Sequence, residues 1–185
     1  MKPKLSLGAL ALAVCVSGCT TSQALVQAPV SVPGSLTAAQ AVARQAIDSL
    51  NTEFAFLIDH DQSAGVADLF TEAGVQGVIG GQLVTGREAI RRSYAERKSR
   101  GERTARHLFT NLRLSFESEA RVRGSTILLL FAADGPPPHY AEPLGVADYE
   151  DIYERDADGR WRFASRLIRP VFSHRTQKPV ILKDK

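Results

Sequence analysis

Cysteine, methionine and tryptophan are nearly absent from this chain, at two, one and one in 185 residues. Both cysteines, Cys15 and Cys19, lie at the extreme N-terminus, which excludes a disulfide framework and a cysteine-based zinc site as the scaffold. Long apolar runs are missing too. The longest, Leu5 to Val16, falls short of the roughly 20 residues that a membrane-spanning helix needs. Metal-ligand patterns are equally scarce. His60 stands between Asp59 and Asp61, but three adjacent residues at a helix end do not converge on one ion, and no metal or cofactor is expected. No repeat or low-complexity segment interrupts 36–172. What remains is 44% hydrophobic and 23% charged, ordinary globular values, and a domain of about this size buries close to 70% of its chain surface.

The first residues have the layout of a targeting segment. Lys2 and Lys4 form a positive start, Leu5 to Val16 an apolar stretch, and Val16-Ser17-Gly18-Cys19 ends it with small residues before a cysteine. That tetrapeptide resembles the lipobox of bacterial lipoproteins. The resemblance implies a signal peptide over 1–18 and a Cys19 carrying acyl chains, each worth about 0.8 kcal/mol per buried CH₂. Thr20, where inner-membrane lipoproteins have an aspartate, then implies the outer membrane, facing the periplasm. The alternatives are an uncleaved N-terminal anchor or secretion without lipid. Loss of Lys2 and Lys4 takes the formal charge from +3 to +1, so net basicity names no partner. Residues 19–35, with Pro29, Pro33 and Gly34, read as a flexible tether, and the tail 173–185 as loose.

Helix periodicity begins at Thr37. Thr37 and Gln40 fit a capping box, and Ala43, Ile47, Leu50, Phe54, Leu57 and Ile58 recur at helical spacing. A second helix is expected over 62–70, with Asp61 as its cap. Val75 to Val84 reads as two β pieces around Gly80-Gly81. Thr85 and Glu88 suggest another capping box, opening a helix to about Lys98. Four strands follow: 106–117, 121–133, 146–155 and 160–169. In the first, the even positions Leu108, Leu112, Leu114 and Phe116 make the more apolar face, which predicts that they are buried and that His107, Phe109 and Asn111 share the other face. His107 then reads either as an ordinary satisfied histidine or as part of a pocket, and a bulge in the strand would change which face it takes. Helices followed by strands predict an α+β fold, a cone-shaped, curved antiparallel sheet packed against three N-terminal helices.

The motif order is also familiar. Phe54-Ala55-Phe56-Leu57-Ile58-Asp59, Ala67-Asp68-Leu69-Phe70-Thr71-Glu72, Gly86-Arg87-Glu88-Ala89-Ile90, Arg106-His107-Leu108-Phe109-Thr110-Asn111-Leu112 and Gly159-Arg160-Trp161-Arg162-Phe163-Ala164-Ser165-Arg166 together resemble the SnoaL-like branch of the nuclear transport factor 2-like superfamily. The resemblance covers nearly all of 36–172. It implies a cystatin-like α+β barrel, often dimeric through the outer face of its sheet. In dehydratase-like members an aspartate ending the first helix faces a histidine in the strand that carries the Arg-His-x-x-Thr-Asn motif. Here these are Asp59 and His107. A carboxylate on one imidazole nitrogen fixes the tautomer and makes the other nitrogen a better base, and such a base contributes about 10²- to 10⁴-fold.

Two departures count against catalysis. Phe54 stands where a tyrosine is usual, and Ile127 to Phe131 is apolar where a second polar group is common. Tyr94, Tyr149 and Asp148 are the candidate replacement donors. Phe54, Tyr94, Phe109, Asn111, Tyr149 and Trp161 are the candidate pocket residues, although Trp161 and Phe163 read equally well as core. The basic run from Arg87 to Arg106 is a solvated face with local ion pairs, or else a surface for anionic lipid. Nucleic acid is disfavoured by the export signal. His139 and His174 have no evident role. Two functions stay open: a tethered lyase or isomerase acting on a small apolar molecule through His107 and Asp59, and a non-catalytic lipoprotein that binds a hydrophobic ligand or dimerises.

Overall fold

A computed structural model describes residues 35–60 and 63–174. The expected signal peptide, Cys19, the tether, Asp61 as a cap and the tail from 175 lie outside the described residues.

Helix α1 spans Ala38–His60. Its start is the expected capping box: the Thr37 N–H donates to Gln40 Oε1 at 3.0 Å and the Gln40 N–H to Thr37 Oγ1 at 3.2 Å. Ala43, Ile47, Leu50, Asn51 and Phe54 form its buried stripe. A single 3₁₀ turn, Val66–Leu69, takes the place of the expected second helix. Phe70 already belongs to strand β1, Phe70–Val78. Its side chain is fully buried, and four residues are too few to sustain an α-helix. Strand β2, Leu83–Thr85, folds back on β1 through a turn containing Gly80 at φ 74°. Helix α2 covers Arg87–Ser99. Its N-cap is Gly86, not Thr85, and no side chain caps it. Thr85 is held in the β2 ladder opposite Val75, and the Gly86 N–H donates to the Gly74 carbonyl at 2.7 Å.

Strands β3 (Arg103–Phe116), β4 (Arg121–Asp134), β5 (Gly145–Arg155) and β6 (Trp161–Ser173) form an antiparallel meander. The six strands run in the order β2-β1-β6-β5-β4-β3. The sheet is mixed, because β1 pairs with β6 in parallel. Parallel neighbours need a long crossover, and α2 with the meander supplies one. The α+β class is as expected, with a curved sheet that is not wholly antiparallel.

Two bulges decide which side chains face the helices. Thr110 pairs with Ile127 but Arg113 with Ser125, so β3 carries one extra residue. Asn111 sits there at φ 57°, a left-handed conformation that asparagine tolerates better than most. Before this point the odd positions Ala105, His107 and Phe109 point inward, and after it Leu112, Leu114 and Phe116 do. The even face expected to be buried is therefore split, and Leu108 is 48% exposed. Similarly, Tyr153 pairs with Phe163 but Ile152 with Ser165. The extra residue, Ala164, brings Phe163, Arg166 and Ile168 to one face. A one-residue insertion reverses the side-chain parity of a strand, so both bulges put residues of opposite parity into one interior.

The main core joins Ile47 and Phe54 of α1, Ile90 of α2, Phe70, Val122, Tyr153 and Phe163. Gly124 of β4 is required here, since an added Cβ would lie 2.5 Å from the Tyr153 ring.

Candidate active site

Asp59 and His107 meet where the last turn of α1 crosses β3. The backbone N–H of His107 donates to Asp59 Oδ2 at 2.7 Å, and His107 Nδ1 lies 2.7 Å from Asp59 Oδ1. Both side chains are only 6% exposed. Burial on its own would push the Asp59 carboxyl up. The ring and backbone bonds from His107, with the charges of His107 and Arg106, outweigh it and hold the group below the usual carboxylate value. A carboxylate on Nδ1 places the proton there and leaves the lone pair on Nε2. Nε2 has no hydrogen-bond partner among the described residues. The pair is therefore built as an oriented base.

A cavity of about 540 Å³ opens between α2, the start of β3 and the β1 edge. Ile58, the neighbour of Asp59, and Ala105, on the same inward face as His107, belong to its wall. Two residues of strand rise about 7 Å, so His107 lies one pleat further along β3, outside the lining of that cavity. Tyr94 lines that cavity and is the expected pocket residue that does so. Its hydroxyl lies 2.5 Å from Gln76 Nε2, which donates to it.

Phe54, Phe109 and Tyr149 have a different place. With Phe163 they enclose the guanidinium of Arg166, whose Cζ lies 4.3, 5.0, 4.8 and 4.0 Å from the ring centroids of Phe54, Phe109, Tyr149 and Phe163. Asn111 stands exposed on the β3 bulge, away from the cavity. Trp161 is half-buried at the edge of the main core. Asp148 pairs across the sheet with Ile127 and Arg169, on the face opposite Tyr149, so it supplies no donor to the interior. Burial, ahead of any charge, pushes the Tyr149 hydroxyl far up.

Sequence reasoning assigned no role to Arg166. It is fully buried and paired bidentately with Asp151, Nε to Oδ1 at 3.0 Å and Nη2 to Oδ2 at 2.8 Å. Nη2 also donates to Asn51 Oδ1. The Tyr153 hydroxyl donates to Asp151 Oδ2 at 2.8 Å and accepts from Asn51 Nδ2 at 2.9 Å. This closed set links α1 to β5 and β6 across the interior. Nη1 is sealed from solvent and has no acceptor among the described residues. Strict alternation from Trp161 and Phe163 puts Arg166 on the solvent side, and nothing in the sequence marks Ala164 as the residue that turns it inward.

The SnoaL-like domain profile matches residues 39–167. No curated protein matches the chain by sequence. Among solved structures, a proposed scytalone dehydratase from Novosphingobium aromaticivorans superposes with TM-score 0.63 at 22% identity, over 74% of this chain and 89% of that one. A protein from Catenulispora acidiphila in complex with S-DNPA gives 0.58 at 26% identity, over 71% and 95%. The hexachlorocyclohexane dehydrochlorinase LinA-type3 from Novosphingobium barchaimii gives 0.59 at 23% identity, over 73% and 91%.

Proposed function

The chain belongs to the SnoaL-like domain family, and from that premise we propose that it is a lyase-type enzyme acting on a small, largely apolar molecule. The observation that carries this is the Asp59–His107 pair, an oriented base whose two side chains are each 6% exposed, beside a cavity wall. His107 Nε2 takes a proton from a carbon next to a carbonyl. The C–H electron pair becomes the new double bond, and the group on the adjacent carbon leaves with its bonding electrons. If that group is hydroxide, the proton now on His107 Nε2 passes to it, so that water leaves and the base is restored. Phe54 has no hydroxyl to assist. The Tyr94 hydroxyl, which lines the cavity and accepts from Gln76 Nε2, keeps its own O–H as the donor to meet negative charge. The same base without a leaving group would shift a double bond. The eliminations named for two structural neighbours are of this type, although at 22 and 23% identity they speak for the fold alone. The neighbour holding S-DNPA is in keeping with a small-molecule ligand. The test is turnover of bicyclic β-hydroxy ketones, followed as enone absorbance. Wild type is expected to convert at least one, and His107→Ala to lose that conversion while keeping its circular dichroism.

A second reading, assembly without catalysis, draws on the other side of the sheet. Leu108, Leu129, Val146 and Phe172 stand directly opposite one another across four strands, on the convex face, with Phe172 68% exposed. Such a row suits a homodimer. Leu108→Glu with Phe172→Glu is expected to convert a dimer to monomer in analytical ultracentrifugation without loss of fold.

The membrane anchor belongs to the same proposal. The lipobox-like Val16-Ser17-Gly18-Cys19 supports an acylated Cys19 and an envelope location, in the outer membrane on the periplasmic side. Cys19→Ala should move the protein from the membrane to the soluble fraction, and retention in the membrane would count against acylation.

A further inference from the structure

The inward stripe of α2 ends in a cation. Ile90, Tyr94 and Arg97 follow one another at spacings of four and three, which puts them on one side of the helix. Ile90 and Tyr94 are buried, and Arg97 continues that side into the wall of the 540 Å³ cavity. A basic residue in the last helical turn favours the helix dipole wherever it points. That accounts for the charge but not for its inward position. Lys98, Arg100 and Arg103 join Arg97 on the wall, against the carboxylates of Glu102 and Asp134. Arg103 and Asp134 pair at 3.2 Å. Among the described residues no carboxylate lies within ion-pair distance of Arg97, Lys98 or Arg100. The apolar side chains in the lining are those of Ile58, Val84, Ala105 and Ile168. Burial raises the Tyr94 hydroxyl, and the Gln76 bond and the charges of Arg97 and Arg166 oppose this only in part.

We propose that this cavity takes an amphiphilic carboxylate, with its apolar body against Ile58, Val84, Ala105 and Ile168 and its anionic group on the Arg97 guanidinium. Arginine's planar fork suits a carboxylate, and a partner held at the rim of a low-dielectric wall is worth more than one in open water. The anchored end stays at the mouth while the apolar end points past Ala105 toward His107. The proposal thus rests on the catalytic reading for what happens to the ligand, and on its own geometry for which ligand enters.

The test measures binding of 2-naphthoate and the neutral, similarly shaped 2-naphthamide to the full-length protein by calorimetry at low salt. The acid is expected to bind about tenfold or more tightly than the amide, with the ratio falling as salt rises. In Arg97→Gln the ratio should fall to near one while amide affinity stays within about twofold. Arg97→Lys should retain an intermediate ratio, and Lys98→Gln with Arg100→Gln should lose only a minor part. His107→Ala should keep the full preference. Equal affinities in wild type, a preference that survives Arg97→Gln in a folded protein, or no binding of either probe would overturn the proposal. A preference that persists while ketone elimination is absent would leave it standing and remove only the catalytic reading.

Discussion

Asp59 accepts two hydrogen bonds from one residue, the ring and the backbone N–H of His107, each at 2.7 Å. The backbone bond fixes where the carboxylate stands, and the ring bond fixes which imidazole nitrogen is free. An asparagine in its place can accept only one of these donors through its oxygen and presents an NH₂ group to the other. Asp59→Asn is therefore expected to lower elimination by about 10²-fold or more and to destabilise the fold by about 1–3 kcal/mol. Urea denaturation and the ketone assay measure the two effects separately.

The same pair sets a pH dependence. The folded-state pKa of Asp59 lies below its ordinary value, so in the interval between the two the unfolded chain binds more protons than the native one. The stability that Asp59 contributes is complete above the ordinary carboxylate range and is lost as pH falls through the depressed native value. The stability gap between wild type and Asp59→Asn should shrink as pH falls below about 4. A gap that stays constant down to about pH 3 would contradict the assignment.

Arg166 should resist every single replacement. Arg166→Met leaves Asp151 buried without its cation, and such losses cost about 3–5 kcal/mol. Arg166→Lys should recover little, because an ammonium cannot bridge Asp151 and Asn51 while lying flat between Phe54 and Phe163. Replacing both Asp151 and Arg166 by leucine should cost less than Arg166→Met alone. Equilibrium unfolding of the three variants decides this.

Asn111 carries a prediction about the backbone. At φ 57° a β-branched residue is strained, so Asn111→Val should lose about 1–2 kcal/mol whereas Asn111→Gly should be nearly neutral. Deletion of Asn111 should lower activity, because a β3 without its extra residue would turn His107 toward the convex face.

Much of this architecture is legible before any coordinates. The Thr37–Gln40 capping box, the α1 stripe and the four long strands follow from local chemistry, and motif order brings Asp59 and His107 together. The rest depends on two inserted residues. Alternation in β3 marks Leu108 for burial and alternation in β6 marks Arg166 for solvent, and the bulges at Asn111 and Ala164 reverse both. A bulge is one residue in a ladder whose partner strand is distant in sequence, so no local pattern records it. The pocket residues suffer from the same blindness. Phe54, Phe109 and Tyr149 are aromatic and inward as expected, but they surround a buried cation that the pattern puts outside. Phe70 at the start of β1 shows the opposite case, where burial overrides a helical pattern too short to hold.

Chemical rescue decides whether His107 acts as a base. The rate of β-hydroxy ketone elimination would be measured for wild type and for a folded His107→Ala, with and without added imidazole. His107→Ala is expected to lose about 10²- to 10⁴-fold, and free imidazole to restore part of it in proportion to its concentration. A folded His107→Ala that keeps the wild-type rate would contradict that role.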